Sequence, residues 1–373
     1  MTPTAYPAAE APYDFIRLKD VPRALKAIHP VGVRWSNPRS DGFPEERIIE
    51  MGHHIQGIAR YGPYTIASDA AAGESGILAI FSDEKLLYAL DTPEGTGHHP
   101  GGIAVAGDIL GVPFDHTRTY AFYDLSPLRA GAEPQLITVT DEIYDFGTAA
   151  LGLTFLTYQG EEVLLLTDQK KNFAILRLPL TAESKLERLQ VEDNAVYAAY
   201  DDPDGTGWCV SETVALLTDT QNTAWLLGFS CRAGLRAKFV EKLGQPGLDN
   251  EDAVVLHKIE VTEGRATVTG PYYEREFQPF NACLLGLGNH FRLGGGVQVL
   301  DAEHFAILST GGYPGNIALQ YAHRDLKAAA DKAIPRRYAV NAFLPQSAGL
   351  PAQAANLAYR GLRRALQGVF RFV

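Results

Sequence analysis

Two histidine pairs in similar surroundings are the residues of this sequence best suited to chemistry. His53 and His54 begin the segment HHIQGIARYGPYTIAS, and His98 and His99 begin HHPGGIAVAGDILGVP, 45 positions later. Histidine titrates near neutral pH and is the commonest side-chain ligand of Zn²⁺ and related ions. The pairs therefore predict either proton transfer or the binding of a divalent metal, with His54 and His99 in the central roles.

The similarity of the two segments continues beyond the histidines and indicates a structural repeat. The matched positions are Gly57/Gly102, Ile58/Ile103, Ala59/Ala104 and Gly62/Gly107. Short strand-like runs follow each copy, such as GILAIF and KLLYAL after the first and TYAFYDL and QLITVT after the second. A period of about 45 residues with such runs is typical of a propeller blade built from four antiparallel strands.

The repeat predicts an all-β fold, a β-propeller with blades that start near residues 54, 99, 148, 208 and 294. Five blades are expected and six are the alternative, because the last interval is long enough to hold another blade around AVVLHKIEVTEGRATVTG. The run RIIEM, residues 47–51, is a candidate N-terminal strand for closing the ring. The expected organisation is an extension at 1–45, the propeller at 46–325 and a helical tail at 326–373.

The tail has the pattern of a basic amphipathic helix. Its apolar residues recur at helical spacing, and its arginines fall mostly on other positions; they are Leu362, Leu366, Val369 and Val373, with Arg360, Arg363, Arg364 and Arg371. Docking on the flank of the propeller is one interpretation. The other is an interfacial helix that contacts a partner or a membrane surface.

The first strands of propeller blades run along a central channel, so the loops that lead into them meet at one mouth. The predicted catalytic residues at this mouth are His54, His99, Asp145 and Glu212, with a carboxylate orienting one imidazole. The predicted substrate-binding residues are His53, Gln56, His98, Trp208, His290 and Arg292. The structural alternative is that the histidines bind backbone carbonyls of a neighbouring blade and hold the ring together.

Glycines at the strand starts have a separate, architectural interpretation. A narrow channel brings the first strands so close together that side chains at these positions would clash. We therefore expect Gly57, Gly102, Gly295 and Gly296 to serve packing. Gln56 and Arg60 differ from their repeat partners Gly101 and Val105, and these breaks in the repeat favour a role for both residues in binding.

Composition excludes several classes of protein. The net charge of −11, from 33 basic and 44 acidic residues, disfavours a nucleic-acid partner. Three cysteines at wide spacing argue against a disulfide framework and a structural zinc site. The first residues lack the pattern of a secretory signal, and no apolar run reaches transmembrane length, so we expect a soluble cytoplasmic protein.

The runs HIQGI, HPGGI and FRLGGGVQV, each at the start of a strand group, resemble those of bacterial five- or six-bladed β-propeller proteins. The resemblance covers residues 46–325 and implies a fold but no reaction, because propellers carry many functions. Two hypotheses follow. The first is an enzyme of lyase, isomerase, cyclase or hydrolase type acting on a small molecule; the second is a non-catalytic propeller that binds a ligand or a protein.

Overall fold

A computed structural model shows a chain built mostly of β-strands with little helix. The residues that it describes are 15–29, 33–36, 55–69, 76–82, 85–97, 99–140, 143, 146, 149–195, 213–233, 250–277, 281–282, 287–311 and 318–321. Within these ranges the helices are α1 (Val21–Ala27) and a 3-10 helix (Ser126–Ala130), and neither is long and apolar enough to cross a membrane.

The strands divide the described chain into short, regularly spaced runs. The first thirteen are β1 (Val33–Ser36), β2 (Ile55–Tyr61), β3 (Tyr64–Asp69), β4 (Ile77–Ser82), β5 (Lys85–Asp91), β6 (Ala104–Ala106), β7 (Ile109–Phe114), β8 (Thr119–Asp124), β9 (Gln135–Val139), β10 (Leu151–Tyr158), β11 (Glu161–Asp168), β12 (Phe173–Arg177) and β13 (Glu187–Asp193). The others are β14 (Val214–Thr218), β15 (Ala224–Ala233), β16 (Asn250–Thr262), β17 (Arg265–Glu276), β18 (Asn281–Ala282), β19 (Leu287–Val299), β20 (Phe305–Gly311) and β21 (Ala318–Tyr321).

These strands form antiparallel units in which neighbours along the chain pair with each other. Unit 1 is β2 to β5, unit 2 is β6 to β9, unit 3 is β10 to β13 and unit 4 is β14 to β17. Unit 5 contains β18 to β21 and is completed by β1. The stretch AVVLHKIEVTEGRATVTG, which the alternative of six blades relied on, forms β16 and β17 of unit 4.

Burial follows the position of a strand within its unit. Every residue of β14 is buried, and so are the first five residues of β4, because both faces of an inner strand are covered by neighbouring units. By contrast, the outermost strand β5 alternates exposed and half-buried residues. The continuous apolar runs in the sequence therefore correspond to inner strands, and the alternating runs correspond to outermost strands.

A closed ring is formed by one strand from each unit, namely the first strand of units 1 to 4 and β19 of unit 5. We call these five the first strands. β2 contacts β6, β6 contacts β10, β10 contacts β14, β14 contacts β19, and β19 contacts β2. A parallel bridge between Gly102 and Ala150 joins the beginnings of β6 and β10, so these two strands run in the same direction. Four-stranded antiparallel units arranged around such a ring are the architecture of a β-propeller. We call the end of the ring at which the first strands begin the starting rim.

Glycine permits the close approach of the first strands. A Cβ atom on Gly57 of β2 would lie 2.5 Å from the backbone nitrogen of Ile103 in unit 2. A Cβ atom on Gly296 of β19 would overlap the carbonyl oxygen of Ile58 in unit 1, and one on Gly295 would lie 3.2 Å from the Thr213 side chain. The expected packing role is thus confirmed for these three glycines. Gly102 is itself the backbone against which Gly57 packs.

Unit 5 is built from both ends of the described chain. β1 pairs antiparallel with β21, and Val33 lies opposite Gln320. An N-terminal strand therefore completes the last sheet, and it is Val33–Ser36. The run 47–51 that the sequence suggested for this position lies outside the described residues, as does the predicted tail helix at 326–373.

The chain before β1 packs along three units in succession. The Phe15 ring meets Phe155 of unit 3 edge-on, with 4.9 Å between ring centroids. The backbone nitrogen of Leu18 donates to Thr218 in unit 4, and that of Lys19 donates to Ala302 in unit 5. Helix α1 then adds Val21 and other apolar residues to the core between units 4 and 5.

Units 3 and 4 share one continuous sheet of eight strands, because their outermost strands β13 and β17 pair in parallel. His257 of β16 is only 2% exposed, at a bulge in the pairing of β16 with β17. Burial lowers the pKa of this imidazole from 6.5 to about 4, against a smaller opposing effect of Asp193. His257 is therefore neutral at pH 7.

Gly296→Ala should destabilise the fold more than the adjacent Gly295→Ala. The new methyl at 296 meets a backbone oxygen that only a shift of β2 can move, and the methyl at 295 meets a side-chain methyl that can rotate. Overpacking of this kind suggests losses of about 3 kcal/mol and about 1 kcal/mol in the free energy of unfolding. Urea unfolding of the two variants measures both losses, and equal losses would contradict the close approach of β19 to β2.

His257 should make stability depend on pH between 6.5 and 4. In this window the unfolded chain binds a proton that the folded chain does not, so stability is fully present above pH 6.5 and falls as the pH falls. The loss amounts to roughly 3 kcal/mol. Urea unfolding of wild type and His257→Gln at several pH values should show this loss only in the wild type. Parallel curves for the two proteins would contradict the neutral buried state.

Candidate functional site

A contact between two polar side chains joins units 1 and 2 at the starting rim. The side-chain nitrogen Nε2 of Gln56 lies 3.0 Å from the ring nitrogen Nε2 of His99. Gln56 is 3% exposed, and His99 is half-buried. Two residues predicted to belong to the site, 43 positions apart in sequence, are thus in hydrogen-bonding contact, with the imidazole on the more open side.

A bulge in unit 1 places Gln56. The pairing of β2 with β3 shifts between Ile55 and Gly57, so Gln56 is the extra residue. Bulges turn a side chain out of the regular alternation of a strand and are common beside functional sites. The absence of a side chain at Gly57 then lets unit 2 approach closely enough for His99 to meet the Gln56 amide.

The backbone at His99 and at Gly101, two residues later, is held by hydrogen bonds. Its carbonyl oxygen accepts a hydrogen bond from Asp115 N at 3.3 Å, and Gly101 N donates to Pro113 O at 2.8 Å. The Gly101 carbonyl oxygen in turn accepts from the buried hydroxyl of Ser68 in unit 1, also at 2.8 Å. The short stretch that carries the imidazole is therefore fixed to its own unit and to the neighbouring one.

The amide of Gln56 can bind His99 in either protonation state. With the amide nitrogen facing the ring, it donates to a neutral imidazole whose proton is on Nδ1. A half-turn of the amide presents the carbonyl oxygen Oε1, which accepts a proton carried by Nε2. The arrangement therefore keeps the ring oriented while its charge changes, as a group that takes up and releases protons requires.

A third side chain at this place was not predicted from the sequence. The His116 ring meets the His99 ring edge-on, with 5.3 Å between centroids and 77° between planes. His116 is exposed and lies in the turn from β7 to β8. Since β7 runs back toward the starting rim, the strand order alone places this turn beside His99. No periodic pattern marks it in the sequence.

Two aspartates end second strands at the same rim. Asp69 at the end of β3 is 1% exposed and lies opposite Ile55 in the sheet. Asp168 at the end of β11 is fully buried, and its carboxylate accepts from Lys170 N at 2.8 Å and Asn172 N at 2.9 Å. Asp168 therefore stabilises the turn that follows β11. Asp69 places a buried carboxylate close to the start of β2.

The structure does not describe the side chains of the other predicted site residues. His53, His54, His98, Asp145, Trp208 and Glu212 lie outside the described residues. For His290 and Arg292 the backbone alone is described, as part of β19.

The neighbours of Asp145 in sequence do have a described place. Ile143 and Phe146 are both buried, and Ile143 N donates to the carbonyl oxygen of Arg118 at 2.8 Å. Ile143, two positions before the predicted carboxylate, is therefore attached to the turn that carries His116.

Metal binding through His54 and His99 stays a prediction, because it requires a residue outside the described part of the chain. Within that part, His, Cys, Asp and Glu side chains do not form a group of three that could hold a metal ion. The Nε2 atom of His99 faces Gln56, so a metal at this atom would have to displace the amide.

Comparisons with known proteins leave the site to be interpreted from its own geometry. No protein-family model and no curated protein sequence matches the chain. Glutaminyl cyclase from Myxococcus xanthus is 12% identical with a TM-score of 0.37, over 79% of this chain and 97% of that one. A GH43 endo-arabinanase from Bacillus licheniformis is 11% identical with a TM-score of 0.41, over 77% and 96%.

An α-L-arabinofuranosidase from Podospora anserina is 8% identical with a TM-score of 0.39, over 84% of this chain and 98% of that one. The similarity to these three structures extends over most of each chain but is weak in detail. It therefore transfers neither a reaction nor a substrate to this chain.

The orientation of the Gln56 amide in the structure, with its nitrogen toward the ring, favours one tautomer of neutral His99. With the amide nitrogen as donor, the ring proton is on Nδ1 and Nε2 is the acceptor. NMR spectra of full-length protein labelled with ¹⁵N at histidine should show this tautomer above neutral pH, and Gln56→Leu should remove the preference. A spectrum in which Nε2 carries the proton would contradict the assigned orientation of the amide.

Proposed function

We propose that the protein is a five-bladed β-propeller enzyme that transfers protons to or from a small-molecule substrate at the starting rim. The observation that carries this proposal is the contact of His99 with Gln56 across units 1 and 2. The blade count is supported by the ring of contacts among the first strands β2, β6, β10, β14 and β19.

The pairing of Gln56 with His99 favours a catalytic role of His99 over a purely structural one. A histidine that only braces the ring needs one fixed hydrogen bond to a neighbouring blade. His99 instead faces an amide that can bind both protonation states, and its side chain is half-buried where that of Gln56 is almost fully buried. The stretch is already tied to unit 1 through Ser68 and Gly101, so the imidazole is not required for that connection.

We assign the remaining predicted residues to the same site. His54 and either Asp145 or Glu212 complete the acid–base group around His99, and a carboxylate there would fix the orientation of an imidazole. His53, His98, Trp208, His290 and Arg292 contact the substrate, with Arg292 binding an anionic or carbonyl group. Proton transfer of this kind is common to lyases, isomerases, cyclases and hydrolases, the classes expected from the sequence.

Metabolite profiling tests the proposal with a mixture of many candidate substrates at once. Purified wild type, His99→Asn and Gln56→Leu are each incubated with a total metabolite extract, and mass spectrometry follows compounds that disappear or form. The wild type should change a small set of compounds. His99→Asn should slow that change by about a hundredfold or more, and Gln56→Leu should slow it less, because the imidazole remains.

His304→Asn is the matched control, since His304 lies in the turn after β19, at the far rim, where it contacts Asp301. It should leave the profile unchanged, and all three variants should unfold at nearly the temperature of the wild type. Full activity in His99→Asn would overturn the role of His99. An unchanged extract with every protein would favour the non-catalytic propeller instead.

A further inference from the structure

The outermost strands of units 3 and 4 meet in a short seam. β13 and β17 pair in parallel there, from Gln190 opposite Arg265 to Asp193 opposite Val268. Parallel pairing is slightly less stable per residue than antiparallel pairing. The same two units also meet at their first strands, where β10 contacts β14. The seam can therefore separate as a local opening while the ring of first strands stays closed.

His257 is buried beside the end of the seam at which Asp193 lies. It stands opposite Leu226 of β15, a residue of the apolar core between units 3 and 4. The pairing of β16 with β17 shifts at His257, so that residues 270–272 of β17 face this single residue. The Nδ1 atom of His257 lies 3.5 Å from the position that a Cβ atom on Gly270 would take. The imidazole thus packs against the strand that forms one side of the seam.

Two charged groups of unit 3 act on this imidazole, and they are paired with each other. The Nζ atom of Lys171, in the turn from β11 to β12, lies 2.7 Å from the Oδ2 atom of Asp193. Burial lowers the pKa of His257 most strongly, Asp193 raises it, and Lys171 lowers it. Because Lys171 already balances the charge of Asp193, a proton on His257 adds a buried positive charge to the closed seam.

The strands next to His257 carry few other charged groups. Glu274 of β17 is half-buried opposite Val255, and on β16 itself Lys258 and Glu260 form an ion pair with each other. From β15, the residue opposite the imidazole is the apolar Leu226. The electrostatic effect on His257 therefore comes from the side of the seam that belongs to unit 3.

We propose that the seam is an acid-sensitive junction, in which protonation of His257 favours separation of β13 from β17 while the ring of first strands stays closed. The proton comes from solvent and forms one N–H bond, so the step needs no other reactant. A buried charge is costly, and in the separated form water reaches the imidazolium and stabilises it. Acid therefore raises the population of the separated form.

Hydrogen exchange of the full-length protein, followed by mass spectrometry at pH 7 and pH 5, tests the proposal. Rates are corrected for the intrinsic pH dependence of amide exchange. Peptides that cover 190–193 and 265–268 should exchange faster than global unfolding, measured in urea, permits. Between pH 7 and pH 5 their opening should increase by about twentyfold in the wild type, since the exposed ring takes up its proton at the ordinary pKa.

Two neutral replacements, His257→Gln and His257→Leu, should remove this response to pH, and the use of both keeps the test independent of either one folding. His304→Asn is the matched control, because His304 lies at the far rim of unit 5, and it should respond like the wild type. An equal response in the wild type and in the neutral variants overturns the proposal. Exchange at the rate set by global unfolding also overturns it, because His257 would then act only on the whole fold.

A reversible crosslink tests whether the opening is at the seam itself. Glu192 and Thr267 lie opposite each other in the seam, and neither is buried. Cysteines on adjacent strands are within reach of a disulfide, so Glu192→Cys combined with Thr267→Cys can join β13 to β17. The oxidised protein should lose the acid response of the seam peptides, and reduction should restore it. An acid response that persists in the oxidised protein would place the opening elsewhere and contradict the proposal.

Discussion

The close approach of the first strands around the ring is the constraint on which the rest of the structure depends. Neighbouring units meet there backbone to backbone, as at Gly57 against Gly102 and Ile103, and at Gly296 against Ile58. No side chain fits between two strands at this distance. The units surround the ring side by side because their first strands are in contact. The apolar residues of β4 and β14 are buried for the same reason, since neighbouring units cover both of their faces.

The same constraint produces the candidate site. Gln56 directly precedes Gly57 and His99 lies three positions before Gly102, so the close approach of the two units at these glycines brings the two side chains together. The bulge at Gln56 and the hydrogen bonds that anchor the stretch around His99 then orient the two side chains. The glycines that allow close packing and the polar side chains of the candidate site are thus near each other in the sequence.

The sequence predicted the parts of this structure that correspond to repeated residue patterns. Glycine followed by apolar residues marks the start of an inner strand, so the sequence predicted the strand groups and the packing role of three glycines. Gln56 was recognised separately, because it breaks the repeat at Gly101. His116 was missed because it lies in a hairpin turn whose position depends on pairing rather than on pattern. The strand β1 was missed because four residues carry little signal and its pairing partner lies in the last sheet of the ring.

The pairing of β1 with β21 sets an order of events for the newly made chain. Val33 and Gln320 are 287 positions apart (320 minus 33), whereas Gln56 and His99 are separated by 43. During synthesis both partners of the contact between Gln56 and His99 are made long before the ring has its last strand. Until the ribosome has passed residue 321, β1 has no neighbour in its sheet, and its backbone groups stay open to other chains.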